Sequence, residues 1–106
     1  MEGKMGERAD PRIPHRVYVR GRGLHDSFCS ISEDISRTGI LLATKEKLAP
    51  GDRIQCSFVL QHKISLRGEV VRAVKKKKDL YHYGVRFLDI DPKAKAQLEA
   101  LVKDQG

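Results

Sequence analysis

The sequence predicts a mainly β fold: a small antiparallel β-barrel of six to seven strands, with one C-terminal α-helix and a flexible N-terminal arm. Three observations predict it. Ile54, Cys56, Phe58 and Leu60 alternate with Arg53, Gln55, Ser57 and Val59, the period-2 pattern of a half-buried strand. Short runs of the same kind recur between turn-forming clusters along most of the chain. Apolar spacing becomes helical only after Asp91-Pro92.

The elements follow in order. Residues 1–15 are polar, charged and interrupted by Pro11 and Pro14, a pattern unsuited to a helix or a central strand, so they are assigned to the arm. Residues 16–106 make the barrel and helix. Val17 and Val19 open a first strand, punctuated by Gly21-Arg22-Gly23. Residues 26–33 form a second, with Phe28 or Cys29 and Ile31 as its apolar members. Gly39–Ala43 is an apolar strand, and Ala49-Pro50-Gly51-Asp52 is a turn before the strand of Ile54. Ile64, Leu66 and Val70 keep the alternation, whereas Val71 breaks it and points to a bulge near Gly68. Lys75–Lys78 with Asp79 form an exposed hairpin turn, and Tyr81, Tyr83, Val85 and Phe87 alternate on the last strand. Asp91 is an N-cap, Pro92 the first helical residue, and Ala94, Leu98, Leu101 and Val102 the apolar stripe of a helix over about 92–103.

The 106 residues suffice for one domain. A formal net charge of +7 favours anionic partners: a nucleotide, nucleic acid or an anionic membrane surface. With no Trp, stacking platforms for single strands are sparse. Cys29 and Cys56 are too few for a disulfide framework and both read as inward-facing, small buried groups. No apolar run reaches membrane-spanning length and the N-terminal residues lack a secretory pattern, so the expected location is the cytoplasm.

Two stretches carry chemistry. Arg12-Ile-Pro-His-Arg16 sets two arginines four apart, roughly 13 Å in an extended chain. Each guanidinium offers paired donors that match a phosphate or the O6/N7 edge of guanine. Asp34-Ile-Ser-Arg-Thr-Gly39 sets a carboxylate, a hydroxyl and a glycine at fixed offsets between two strands. The Asp34 carboxylate can accept N1–H and N2–H of guanine, Ser36 can donate to a phosphate or base oxygen, and Gly39 permits a positive φ or close approach of a ligand. Taken singly, the first stretch also reads as a solvated basic tail and the second as an Asx/ST-turn.

Together the two stretches resemble the bipartite RxxxR and [D/N]xSxxG signature of the PilZ domain, a family that binds the bacterial second messenger cyclic di-GMP. The resemblance runs from about Arg8 to the C-terminal helix. It includes the Leu48-Ala49-Pro50-Gly51-Asp52 turn, Leu66–Arg72 and Tyr83–Phe87. It implies a PilZ-type β-barrel and a non-catalytic receptor whose site comprises Arg12, Arg16, Asp34, Ser36 and Gly39. The arm would fold over the dinucleotide and change the surface offered to an unidentified downstream protein partner in motility, polysaccharide or virulence regulation. Secondary candidates are Arg8, Arg37 and Arg72. Arg72 shares parity with Ile64, Leu66 and Val70 unless the bulge flips it. Pro11 stands where many members carry a further arginine, which favours one ligand per subunit; Arg8 could substitute for it. Only 17 residues separate Arg16 from Asp34, so the hairpin between them is compact.

His15, His25, His62 and His82 show no metal-type spacing, and no nucleophile motif is present, so neither a metal, a cofactor nor an enzyme is expected. Two other functions compete. A small basic barrel could bind nucleic acid by charge alone, although nucleic acid is not the expected partner, or a degenerate barrel could serve as a protein-binding adaptor.

Overall fold

The computed structural model describes residues 12–23 and 26–105. In chain order the elements are β1 (Ile13–Pro14), β2 (Tyr18–Arg22), β3 (Ser27–Ile35), β4 (Gly39–Thr44), β5 (Arg53–Val59), β6 (Lys63–Lys77), β7 (Leu80–Asp89) and α1 (Pro92–Gln105). The sheet order is β1-β3-β2-β5-β6-β7-β4, and β3 also pairs with β4. Six antiparallel strands therefore close into a barrel, and β1 adds a seventh along β3 beyond the end of β2.

Alternation builds the interior. Ile54, Cys56 and Phe58 of β5 point inward beside Ile64, Leu66 and Val70 of β6, and Tyr83, Val85 and Phe87 of β7 complete that wall. The Tyr83 hydroxyl is not wasted there: it donates to the Glu46 carbonyl at 2.7 Å and accepts from Leu48 N–H at 2.8 Å, holding the loop between β4 and β5. Burial raises its pKa above the usual phenol value. Helix α1 closes one barrel end. The Asp91 carboxylate caps it by accepting Ala94 N–H at 2.8 Å, Ala94 and Leu98 are buried in the core, and Gln97 Oε1 accepts His62 N–H at 2.8 Å from the β5–β6 turn.

Two local expectations, the parity of β3 and the end of β2, are corrected, and the bulge expected near Gly68 is found. On β3 the inward positions are Phe28, Ser30 and Ser32, so Cys29 and Ile31 face outward and Cys29 is exposed rather than buried. The ring of Phe28 decides the parity, and the two serines can follow it inside because their hydroxyls donate to the carbonyls of Val19 and His15. Gly21 does not end β2. It lies within the strand, where a Cβ would stand 2.2 Å from Phe28 Cζ. The register of β6 against β7 shifts between Arg67 and Gly68, where Leu88 of β7 is the extra residue, and separately between Val70 and Arg72, where Val71 is. This second bulge flips Arg72 out of the inward parity, and its side chain is exposed.

Within the stretch assigned to the arm, Ile13 and Pro14 form β1, opposite Ile35 and Asp34. Ile13 is buried, which anchors the segment. Pro14 is tolerated because β1 is an edge strand and needs no second partner for its backbone. Arg8 and Pro11 lie outside the described residues.

Candidate ligand-binding site

The site begins with an irregularity in β3. Ser32 is opposite Leu42 of β4, but Asp34 is opposite Leu41, so Glu33 is an extra residue on β3. Ser32 and Ile35 on either side are fully buried. Strict alternation would send Glu33 and Asp34 to opposite faces. The bulge instead leaves both carboxylates on the outer wall.

The arm segment lies along this bulge. His15 N–H donates to the Glu33 carbonyl at 3.3 Å, and Ser32 N–H donates to the Val17 carbonyl at 3.0 Å. The Ser32 hydroxyl accepts Val17 N–H at 2.9 Å while donating to the His15 carbonyl, bridging the interruption between β1 and β2. With Ile13 buried, Arg12 and Arg16 both turn outward. Arg12 Nε donates to Asp34 Oδ1 at 2.7 Å, and Arg16 Nη2 donates to Glu33 Oε2 at 2.8 Å. The two predicted motifs, 22 residues apart at Arg12 and Asp34, thus meet directly.

Ser36 and Gly39 occupy the turn that follows. Ser36 is fully buried, and its hydroxyl accepts Thr38 N–H at 3.2 Å and Gly39 N–H at 3.1 Å. Ser36 N–H donates to the Gly39 carbonyl at 2.9 Å. Gly39 is not a positive-φ residue; it is required because a Cβ there would stand 2.5 Å from the Val85 carbonyl oxygen. These two residues fix the β3–β4 turn, and with it the position of Asp34. Arg37 sits within the same turn, where it makes interactions of its own.

Arg72 belongs to the same outer wall. Pairing runs from Asp34 to Leu41, from Leu41 to Gly84 and from Gly84 to Arg72, all on outward positions. Three interstrand steps span roughly 14 Å. The Arg72 guanidinium folds over Gly84, where a Cβ would lie 3.5 Å from its Nη2. The next row along the wall is apolar apart from His82: Tyr18, Ile31, Ala43, His82 and Val74 are successive partners. Beside it runs an open groove of about 660 Å³, bordered by Arg16, Glu33, Tyr18, Ile31, Ala43 and Leu80. That volume is in the range that accepts a small-molecule ligand.

Sequence reasoning missed Glu33 and Ser32. The misread parity of β3 hid both. Ser30 and Ser32 at alternating positions after a phenylalanine were the available signal. Among the described residues no group of His, Cys, Asp and Glu could hold a metal ion, and no helix is long and apolar enough to cross a membrane.

The model of the PilZ domain matches residues 7–104. A search of curated protein sequences gave no significant match. Among solved structures, the chain is similar to the Bacillus subtilis inhibitor of motility MotI/DgrA, with TM-score 0.79 and 15% identity over 91% of this chain and 49% of that one. The complex of K. pneumonia MrkH with c-di-GMP has TM-score 0.75 and 21% identity over 91% of this chain and 51% of that one. The PilZ domain of YcgR from Escherichia coli with c-di-GMP has TM-score 0.69 and 20% identity over 92% and 89%. This chain spans about half the length of the first two.

Proposed function

Since the chain belongs to the PilZ domain family, whose members are non-catalytic receptors or regulators, we propose that it is a cytoplasmic receptor for cyclic di-GMP that signals to a protein partner. The observation that carries this reading is the 2.7 Å contact between Arg12 and Asp34, which brings the two motif halves together on the outer wall and supports reading them as one site. In this reading Asp34 accepts N1–H and N2–H of one guanine. Arg12 and Arg16 leave their carboxylates and take phosphate oxygens or the O6/N7 edge. Ser36 and Gly39 act through the turn that holds Asp34 in place. Arg72 and the apolar groove supply the floor on which the flat dinucleotide lies. The named neighbours MrkH and YcgR, each solved with c-di-GMP, support the choice of ligand.

The mechanism is an exchange of partners. Arg12 and Asp34, and Arg16 and Glu33, are exposed pairs, each worth at most about 1 kcal/mol, so a doubly anionic ligand can break them. Ligand then rests against the segment from Arg12 to Arg16, whose altered position is what a protein partner reads. Calorimetric titration with cyclic di-GMP, with GTP and cyclic di-AMP as controls, tests the assignment. Saturable binding of cyclic di-GMP alone is expected. Absence of heat with all three would overturn the receptor reading.

A further inference from the structure

We propose that Glu33 is a built-in competitor for the ligand: its carboxylate occupies Arg16 in the empty site and so raises the messenger concentration at which the receptor responds. The inference rests on the receptor reading and names a regulatory residue within that site.

The bulge of β3 supplies the argument. Had the strand stayed regular, only one of two neighbouring carboxylates could face the arm. With Glu33 as the extra residue, both do, and two arginines meet two carboxylates. The four side chains cancel in charge. Asp34 has a second task, because a guanine edge needs its acceptor oxygens. Glu33 has none. It does not lie within the Asp34–Gly39 loop, and its carboxylate reaches Arg16 Nη2 at 2.8 Å.

Arg16 is 70% exposed and Glu33 27%, so Arg16 is open to a ligand on its free side while Glu33 is the better anchored partner. A phosphate must displace that carboxylate or share the guanidinium with it at the cost of like-charge repulsion. When the competent state of a site is only partly populated, apparent affinity falls by that fraction. Removing the competitor therefore tightens binding without adding any contact. For an exposed ion pair worth at most about 1 kcal/mol the expected gain is about 2- to 5-fold.

The experiment is calorimetric titration of cyclic di-GMP into the wild-type chain and four variants, with thermal midpoints measured in parallel. Glu33→Gln keeps the shape and removes the charge; it is expected to bind about 2- to 5-fold tighter. Glu33→Ala is expected to match it. Glu33→Asp keeps a carboxylate that the long Arg16 side chain can still reach, and should stay near wild type. Glu99→Gln removes a negative charge from an exposed position on α1 and should change nothing. Unchanged or weaker binding by Glu33→Gln overturns the proposal, as does equal tightening by Glu99→Gln, which would mean a general charge effect. Tightening by Glu33→Ala without tightening by Glu33→Gln would mean that bulk, not charge, is the obstacle, and overturns it too. Failure of every protein to bind the dinucleotide sinks the receptor reading instead.

Discussion

Strands β5 and β3 stand in the same barrel, both antiparallel to β2, and they use alternation differently. β5 sends Ile54, Cys56 and Phe58 inward and Arg53, Gln55, Ser57 and Val59 outward, without interruption. β3 sends Phe28 inward, then two serines, then breaks its register and shows two carboxylates side by side. The first strand stabilises the fold. The second spends two core positions on Ser30 and Ser32, whose hydroxyls hold the neighbouring strand and the arm segment, and spends its regularity on bringing Glu33 and Asp34 to one face. Departure from the pattern that makes a strand legible is what sets Glu33 and Asp34 side by side against Arg12 and Arg16.

The comparison breaks first at stability. Phe58 is 3% exposed on β5, and Phe58→Ala is expected to cost about 3–5 kcal/mol, a large share of what a domain this small has. Asp34→Ala, on β3, removes a surface ion pair and should cost at most about 1 kcal/mol in denaturant unfolding. If the Asp34 variant unfolds as readily as the Phe58 variant, the division between the two strands is wrong.

The second test reverses the ranking. In titration with cyclic di-GMP, Asp34→Ala loses two charge-assisted acceptor contacts, worth about 3 kcal/mol together, and affinity should fall roughly 100-fold or more. Arg16→Ala should act in the same direction. A conservative change on β5, Phe58→Leu, should leave affinity unchanged at temperatures where the protein is folded. Wild-type affinity in a folded Asp34→Ala variant would sink the site assignment.

Most of the barrel was legible because burial on one face writes period 2 into β5, β6 and β7, and because Asp91-Pro92 marks a helix start that the structure repeats in its cap. The motif pairs were legible as residue types, since Arg12, Arg16 and Asp34 are useful at those offsets only if brought together. Less legible was whatever depends on register. A serine reads as outward in a sequence, yet Ser30 and Ser32 are inside, because a hydroxyl bonded to a neighbouring carbonyl is satisfied there. Glu33 was hidden by the misread parity of β3, and Asp34 faces outward beside it only through a bulge, which is visible once the opposite strand is in place. The role of Gly39 depended likewise on Val85, a partner 46 residues further along the chain, which crowds Gly39 against β7.

The two cysteines give the smallest and cleanest contrast, because one lies on each strand. Cys56 of β5 is fully buried, and burial pushes its thiol up to about 12, whereas Cys29 of β3 is exposed. In the unfolded chain a thiol ionises near its ordinary value of about 8.5 to 9. Between that value and about 12 the unfolded state holds fewer protons than the folded one, so folding stability falls as pH rises. The stabilising contribution is complete below pH about 8.5 and has lost about 1.4 kcal/mol by pH about 10. Cys56→Ala lowers stability at neutral pH by opening a small void, but its stability should fall less between pH 8 and pH 10 than that of the wild type. The measurement is urea unfolding at a series of pH values for the two proteins. Parallel slopes for wild type and Cys56→Ala would mean that the β5 thiol is not held neutral by the core, and that the inner wall of the barrel is wetter than its packing implies.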